Sequence, residues 1–174
     1  MNNGNNDPSD EIIITRPSQV SDLLAITEIY NEAIETTIAT FDTVPKTMDE
    51  QKEWYTQHGT MYPIIVAILE DQVVGWASLS RWSDRCAYSD TAELSLYVKH
   101  EHRGKGVGRR LMEAIIEAGD DANLHTLLAR IADGNEVSVH IHEVAGFRHI
   151  GVMREVGSKF GRLLDVYLMQ YIYR

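Results

Sequence analysis

The residues that could do chemistry fall into two groups. The first is the run Leu96-Tyr97-Val98-Lys99-His100-Glu101-His102-Arg103-Gly104-Lys105-Gly106-Val107-Gly108-Arg109-Arg110. A strand-like segment enters a glycine-rich turn, and helical periodicity follows it. Glycines let successive N–H groups face one side, and the first turn of a helix adds unpaired N–H groups and about half a positive charge. Together they form a socket for phosphate oxygens. Arg103, Lys105, Arg109 and Arg110 bring cations to it in a chain with 16 basic and 26 acidic residues, net charge −10. That local reversal of sign points to an anionic ligand. A Walker loop requires GxxxxGK[ST], which the chain lacks. A dinucleotide fingerprint counted from Gly104 places Arg109 where its third glycine belongs. ATP and NAD are poor fits.

The second group could move protons. Strand alternation puts Leu94, Leu96 and Val98 on one face and Glu93, Ser95 and Tyr97 on the other. A carboxylate in mid-strand is depleted and costly to bury alone, so Glu93 is the candidate general base, drawing a proton directly or through water, with burial raising its pKa. His142, on a predicted helix, carries an imidazole that titrates near neutrality and suits an acid, a base or a structural hydrogen bond. His140 lies roughly 200° around the same helix, so the two do not pair on a metal. Cys86, the single cysteine, forms no intrachain disulfide, belongs to no metal-ligand spacing and has no base beside it in sequence.

These residues need a scaffold. Ile12–Ile14 is a β-branched run closed by Arg16-Pro17, and Ser18 is placed to cap a helix carrying Val20, Leu23, Leu24, Ile26, Ile29, Tyr30, Ala33 and Ile34. Thr36–Thr47 reads as a loop and Met48–His58 as a short polar helix. Strands are expected at Tyr62–Leu69, Val73–Leu79 and Ala92–Val98. A helix follows the glycine turn to about Asp120, with Val107, Leu111, Ile115 and Ala118 down one side. Then come a strand at His125–Ile131, a helix at Asn135–Ala145 and a strand at Phe147–Arg154. Gly157–Arg162 reads as a glycine-bounded loop and Leu163–Tyr173 as the last strand. The order β-α-α-β-β-β-α-β-α-β-β predicts a mixed sheet with helices on its faces, a three-layer α/β or α+β domain over residues 11–174. Residues 1–10 are polar and asparagine-rich, and read as a frayed tail. A 44% apolar content supports a real core. The acidic balance argues against nucleic-acid partners, no apolar run approaches a membrane span, and cysteine usage fits the cytoplasm.

The string Arg103-x-x-Gly106-x-Gly108 resembles the pyrophosphate loop of the GNAT acetyltransferases. Asn135-x-x-Ser138 followed by Ile141-His142-Glu143-x-x-Gly146-Phe147 resembles a second stretch of that family. Four further stretches resemble its phosphinothricin N-acetyltransferase branch: Ile29-Tyr30-Asn31, Trp82-x-x-Arg85-x-Ala87-Tyr88, Thr91-x-Glu93-x-Ser95-x-Tyr97-Val98, and Val156-Gly157-x-Lys159-x-Gly161-Arg162-x-x-Asp165-Val166. The resemblance implies a mostly antiparallel mixed sheet of six to seven strands flanked by about four helices. It implies acetyl-CoA as co-substrate and no metal, with Arg103, Gly104, Lys105, Gly106, Val107, Gly108 and Arg109 on the diphosphate. Leu96, Tyr97, Val98, Asn135 and Ser138 would lie along the pantetheine arm. A strand N–H, that of Val98, would polarise the thioester oxygen, an interaction worth roughly 3–4 kcal/mol in hydrolases. It further implies Glu93 as catalytic base, His142 near the sulfur, and Arg85 with Tyr88 on the acceptor, the guanidinium suiting a carboxylate. Lys159 and Phe160 would stand near an acceptor pocket shared across a homodimer. The activity expected is acetyl transfer to the α-amine of a small amino acid or analogue such as phosphinothricin, methionine sulfone or sulfoximine, by direct attack in a ternary complex. Its rivals are a protein N-terminal or polyamine acetyltransferase and a non-catalytic acyl-CoA-binding module.

Overall fold

The structure, a computed structural model, describes residues 12–174. The tail expected at residues 1–10 lies outside them. The element order matches the expected one: β1 (Ile14–Pro17), α1 (Leu23–Thr36), α2 (Met48–Thr56), β2 (Ile64–Leu69), β3 (Gln72–Arg81), β4 (Thr91–Val98), α3 (Val107–Asp121), β5 (Thr126–Ala132), α4 (Glu136–Val144), β6 (Arg148–Lys159) and β7 (Arg162–Ile172). The seven strands form one sheet in the order β1-β2-β3-β4-β5-β7-β6. Every pairing is antiparallel except β4 with β5.

The apolar run of β2 is covered on both faces, as its unbroken sequence requires. On one face lies α3, whose Val107, Leu111, Met112 and Ile115 are buried against Ala77, Leu79, Leu94 and Leu127. Gly75 on β3 permits this approach: a Cβ there would stand 3.0 Å from the Leu111 side chain and 3.0 Å from the Tyr97 carbonyl. On the other face α1 and α2 enclose an aromatic cluster. Tyr30, Trp54, Trp76 and Tyr97 meet with ring centroids 4.9–5.9 Å apart, the range in which edge-on aromatic pairs attract.

Two local expectations are corrected. Ser18 does not cap α1, because its hydroxyl is directed at Tyr55. The chain instead enters the helix through a short 3-10 turn at Val20–Asp22, where the Asp22 carboxylate accepts from the Gln19 N–H at 2.7 Å and from the Arg16 guanidinium at 2.7 and 2.9 Å. Nor is Gly157–Arg162 a loop. Gly157, Ser158 and Lys159 pair in register with Leu164, Leu163 and Arg162, leaving Phe160-Gly161 as a two-residue turn. Both turn residues have positive φ, 51° and 72°, the backbone that matches the twist of a tight hairpin.

Candidate active site

The parallel pairing of β4 with β5 lasts only from Thr91 to Glu93 against Thr126 to Leu128. Beyond it the strands part. On its other edge β4 stays paired with β3 up to Val98 opposite Gly75. The flanking bonds, Trp82 N–H to Thr91 O and Lys99 N–H to Val74 O, show that the odd-numbered residues of β4 face β3. In an antiparallel ladder alternate residues turn their polar groups the other way, so the even-numbered residues of β4 face β5: the last bridge, Glu93 with Leu128, takes up the Leu94 N–H, and the N–H groups of Leu96 and Val98 point into the gap. A cavity of ≈ 610 Å³ occupies it, walled by Leu96 and Tyr97, by Ala129 and Ile131 of β5, and by Asn135, Ser138 and His142 at the start and middle of α4.

At one end of the gap the chain makes the glycine turn. Gly104 and Gly106 have φ of +75° and +86°, and Gly106 caps α3 with no side chain covering the helix end. The first intrahelical bond is Arg110 N–H to Gly106 O, so the amides of Val107, Gly108 and Arg109 lack helical acceptors. Gly108 lets the helix end sit close to its neighbours: a Cβ there would meet Ile141 at 3.3 Å and Leu96 at 3.8 Å. The basic side chains differ in role. The Arg103 guanidinium donates to the Val98 carbonyl at 3.0 Å and fixes the turn to the end of β4. Arg109 pairs with Glu113, while Lys105 has no acidic partner among the described residues. The cradle fits a diphosphate: free amides, left-handed glycines and an unpaired lysine.

Glu93 sits where the strands part and lines the cavity. Its carboxylate is gripped in bidentate fashion by Arg130 of β5, Nε at 2.5 Å and an Nη at 2.7 Å. The guanidinium lies 5.8 Å from the Trp82 ring. The expectation of a carboxylate in an apolar surround is therefore replaced by one with a cationic partner, a charge-assisted pair of fixed geometry. Arg130 went unnoticed in the sequence, although a lone arginine in Leu127-Leu128-Ala129-Arg130-Ile131-Ala132 signals a partner across the sheet.

His142 is buried, 4% exposed, on the face of α4 that lines the cavity. Its Nδ1 lies 2.7 Å from the Ser138 carbonyl. A carbonyl only accepts, so Nδ1 carries the proton and Nε2 presents a lone pair, which has no protein partner. Burial pulls its pKa below the ordinary histidine value, against a smaller opposing effect of the Ser138 bond. Asn135 caps α4, its side-chain oxygen accepting from Ser138 N–H at 3.3 Å.

The far wall comes from the strap between α1 and α2. Tyr30 donates to Asp42 at 2.7 Å and stands 3.0 Å from the Thr40 hydroxyl. Burial pushes Tyr97 up to about 12. Burial also raises the Asp42 carboxyl, but Tyr30 and Lys46 together bring it below its ordinary value. The strap is held by the β6–β7 hairpin: Lys159 donates to the Thr40 carbonyl at 2.7 Å, and Phe41 packs directly on Gly157.

Of the residues singled out from sequence, Glu93, Leu96, Tyr97, Asn135, Ser138 and His142 converge on this cavity, with Val98 and the glycine turn at its end. Lys159 points inward and is 4% exposed, its pKa lowered by burial. Phe160 is exposed on the hairpin turn. Arg85 and Tyr88 lie in the exposed connection from β3 to β4 and are not among the cavity walls. Cys86 is exposed and free. No helix among the described residues is long and apolar enough to cross a membrane.

Residues 25–147 match the acetyltransferase (GNAT) family. The chain is 38% identical over 157 residues to an L-methionine sulfoximine/L-methionine sulfone acetyltransferase of Pseudomonas aeruginosa, covering 89% of this chain and 91% of that one. Among solved structures it resembles a ribosomal-protein-alanine N-acetyltransferase from Brucella melitensis at TM-score 0.88, with 35% identity over 92% of this chain and 99% of that one. It is equally close to a phosphinothricin acetyltransferase from Sinorhizobium meliloti in complex with acetyl-CoA, at TM-score 0.88, with 33% identity over 92% of this chain and 88% of that one. The parted strands, the glycine turn and these likenesses agree: the chain belongs to the GNAT acetyltransferase family.

Proposed function

We propose that the chain transfers an acetyl group from acetyl-CoA to the α-amine of a small amino acid or amino-acid analogue. The observation that carries this reading is the gap between β4 and β5, whose free amides lead from the glycine turn to Glu93. When bound, acetyl-CoA supplies the activated acyl group. The amides of the turn and Lys105 would hold its diphosphate, and Leu96, Asn135 and Ser138 its pantetheine arm. The N–H of Val98 is the donor for a carbonyl oxygen in the gap, fixed in advance by β4 and so needing no reorganisation. Glu93 accepts the proton of the acceptor ammonium, and Arg130 keeps its two oxygens oriented toward the cavity. His142, with its Nδ1 proton committed to Ser138, offers a lone pair. It accepts a hydrogen bond rather than giving one, and burial opposes the protonated form that an acid role requires.

For the acceptor carboxylate we assign Arg85 with Tyr88. Arg85 has no acidic partner among the described residues, whereas Arg81 lies near Asp84. The protein acts as a homodimer in the cytoplasm. Support for pairing comes from exposed apolar side chains on the last hairpin: Val156, Phe160 and Leu163 are more than half exposed. The test is a panel of free amino acids and analogues with acetyl-CoA, following thiol release. Turnover with methionine sulfone, and a rise in its KM of ten-fold or more in Arg85→Ala, are expected; no turnover with any free amino acid overturns the reading. A second reading, acetylation of a protein N-terminus, draws on the likeness to the ribosomal-protein-alanine enzyme. It predicts turnover with alanine-initiated peptides and none with free amino acids.

A further inference from the structure

Among the described residues that line the cavity at Glu93, Arg130 is the one arginine or lysine. The parallel bridge of Glu93 with Leu128 puts these two side chains on one face of the sheet. Arg130, two residues on, lies on that same face just past the point where the strands part, while Ala129 and Ile131 turn into the core under α3. The guanidinium meets Glu93 side-on: Nε donates to one carboxylate oxygen at 2.5 Å and one Nη to the other at 2.7 Å. A guanidinium is a planar fork with a second bidentate edge. That edge, made by both Nη groups, has no acceptor among the described residues, and the side chain is half exposed. The Trp82 ring, 5.8 Å from the guanidinium, stands at the start of the connection that carries Arg85 and Tyr88. Asp42, the other carboxylate of the lining, is engaged by Tyr30 and Lys46. An ion pair in which each partner keeps one side unspent is the complement of a zwitterion.

We infer that the Glu93–Arg130 pair is the receptor for the acceptor's head group: the free edge of Arg130 takes the α-carboxylate while Glu93 takes the α-ammonium. The inference rests on the amino-acid reading above and adds to Arg85 a second cation for the carboxylate, built into the cavity wall. The spans close. Bonds of ordinary length at the trigonal angle of the shared Nη hold its two acceptor oxygens, one from each carboxylate, about 5 Å apart. In an α-amino acid the ammonium nitrogen lies about 2.7 Å from a carboxylate oxygen, and a charge-assisted bond to Glu93 adds about 2.8 Å. The ammonium therefore bridges the two. Glu93 has lone pairs left for it, since Arg130 occupies one on each oxygen. The bound head group completes a ring of alternating charge, and its amine is fixed on the group that must deprotonate it. A simple amine, an α-amide or a peptide N-terminus has no carboxylate at this position and leaves the second fork unmet. A site that hydrogen-bonds one group rejects the analogue lacking it.

The test compares kcat/KM for the best free amino acid of the panel above and for its α-carboxamide, which keeps the amine and the side chain and removes the negative charge. Both are measured in the wild-type chain and in Arg130→Gln. The acid-to-amide ratio is expected to fall at least five-fold in the variant, through a higher KM for the acid. If Arg130 serves only to orient Glu93, both acceptors lose the same factor, and a ratio that falls by less than five-fold overturns the inference. Should Arg130→Gln fail to fold, Arg130→Lys keeps the charge and gives up the fork. Its ratio is expected to fall at least three-fold, and a smaller fall overturns the inference. Wild-type turnover with no free amino acid is a different result: it removes the amino-acid reading itself.

Discussion

Glu93 and His142 divide proton handling between two different environments. The first is an ion-paired carboxylate on a strand edge, and the second is a buried neutral imidazole whose tautomer is set by a carbonyl. Glu93→Gln removes the proton acceptor and keeps the shape, so kcat/KM should fall about 10²–10⁴-fold, while calorimetry finds CoA affinity within three-fold of wild type. His142 also links stability to pH. Burial holds both His142 and His58 below the ordinary histidine value in the fold. Below about pH 6.5 the unfolded chain therefore binds protons that the folded chain does not. Their contribution is complete above that pH and is lost as the pH falls toward the lowered folded values. Urea midpoints measured from pH 7.5 to 5.5 should decline, and His142→Gln should make the decline shallower. Glu93 and His142 stood out in the sequence by residue type and position taken together with the family resemblance. Arg130, 37 positions from Glu93, did not, because its role exists only once β5 lies beside β4. Lys159 was expected in a loop and lies on β6 instead, since the register that turns it inward depends on where the hairpin turns.

At the scale of elements, the glycine turn and α3 were readable because local periodicity and backbone chemistry suffice to specify them. The parting of β4 from β5 was not, because no residue type marks where a parallel pairing stops. Gly106, at φ +86° with only the Ile13 side chain, 4.0 Å away, near where a Cβ would stand, tests whether backbone conformation or bulk matters there. A side chain at left-handed φ costs about 1–2 kcal/mol. Gly106→Val should therefore lower Tm by roughly 2–8 °C and weaken CoA binding ten-fold or more, by moving the helix amides. Calorimetry and thermal melts separate the two effects.

For the whole molecule, the exposed apolar side chains of the last hairpin bear on assembly. Phe160→Glu with Leu163→Glu should convert the proposed dimer to a monomer in sedimentation equilibrium, with the circular dichroism of the fold retained. A dimer mass retained in the variant would place the interface elsewhere, and a monomeric wild-type chain would overturn the proposed dimer. The sheet is also completed out of order. β7, last in sequence, lies between β5 and β6, so β6 reaches the rest of the sheet only through it. The Lys159–Thr40 bond, joining positions 119 residues apart, extends this consequence to the cavity. During synthesis the strap between α1 and α2 therefore has no Lys159 to fasten to until nearly the whole chain has been made, and the cavity it walls closes only then.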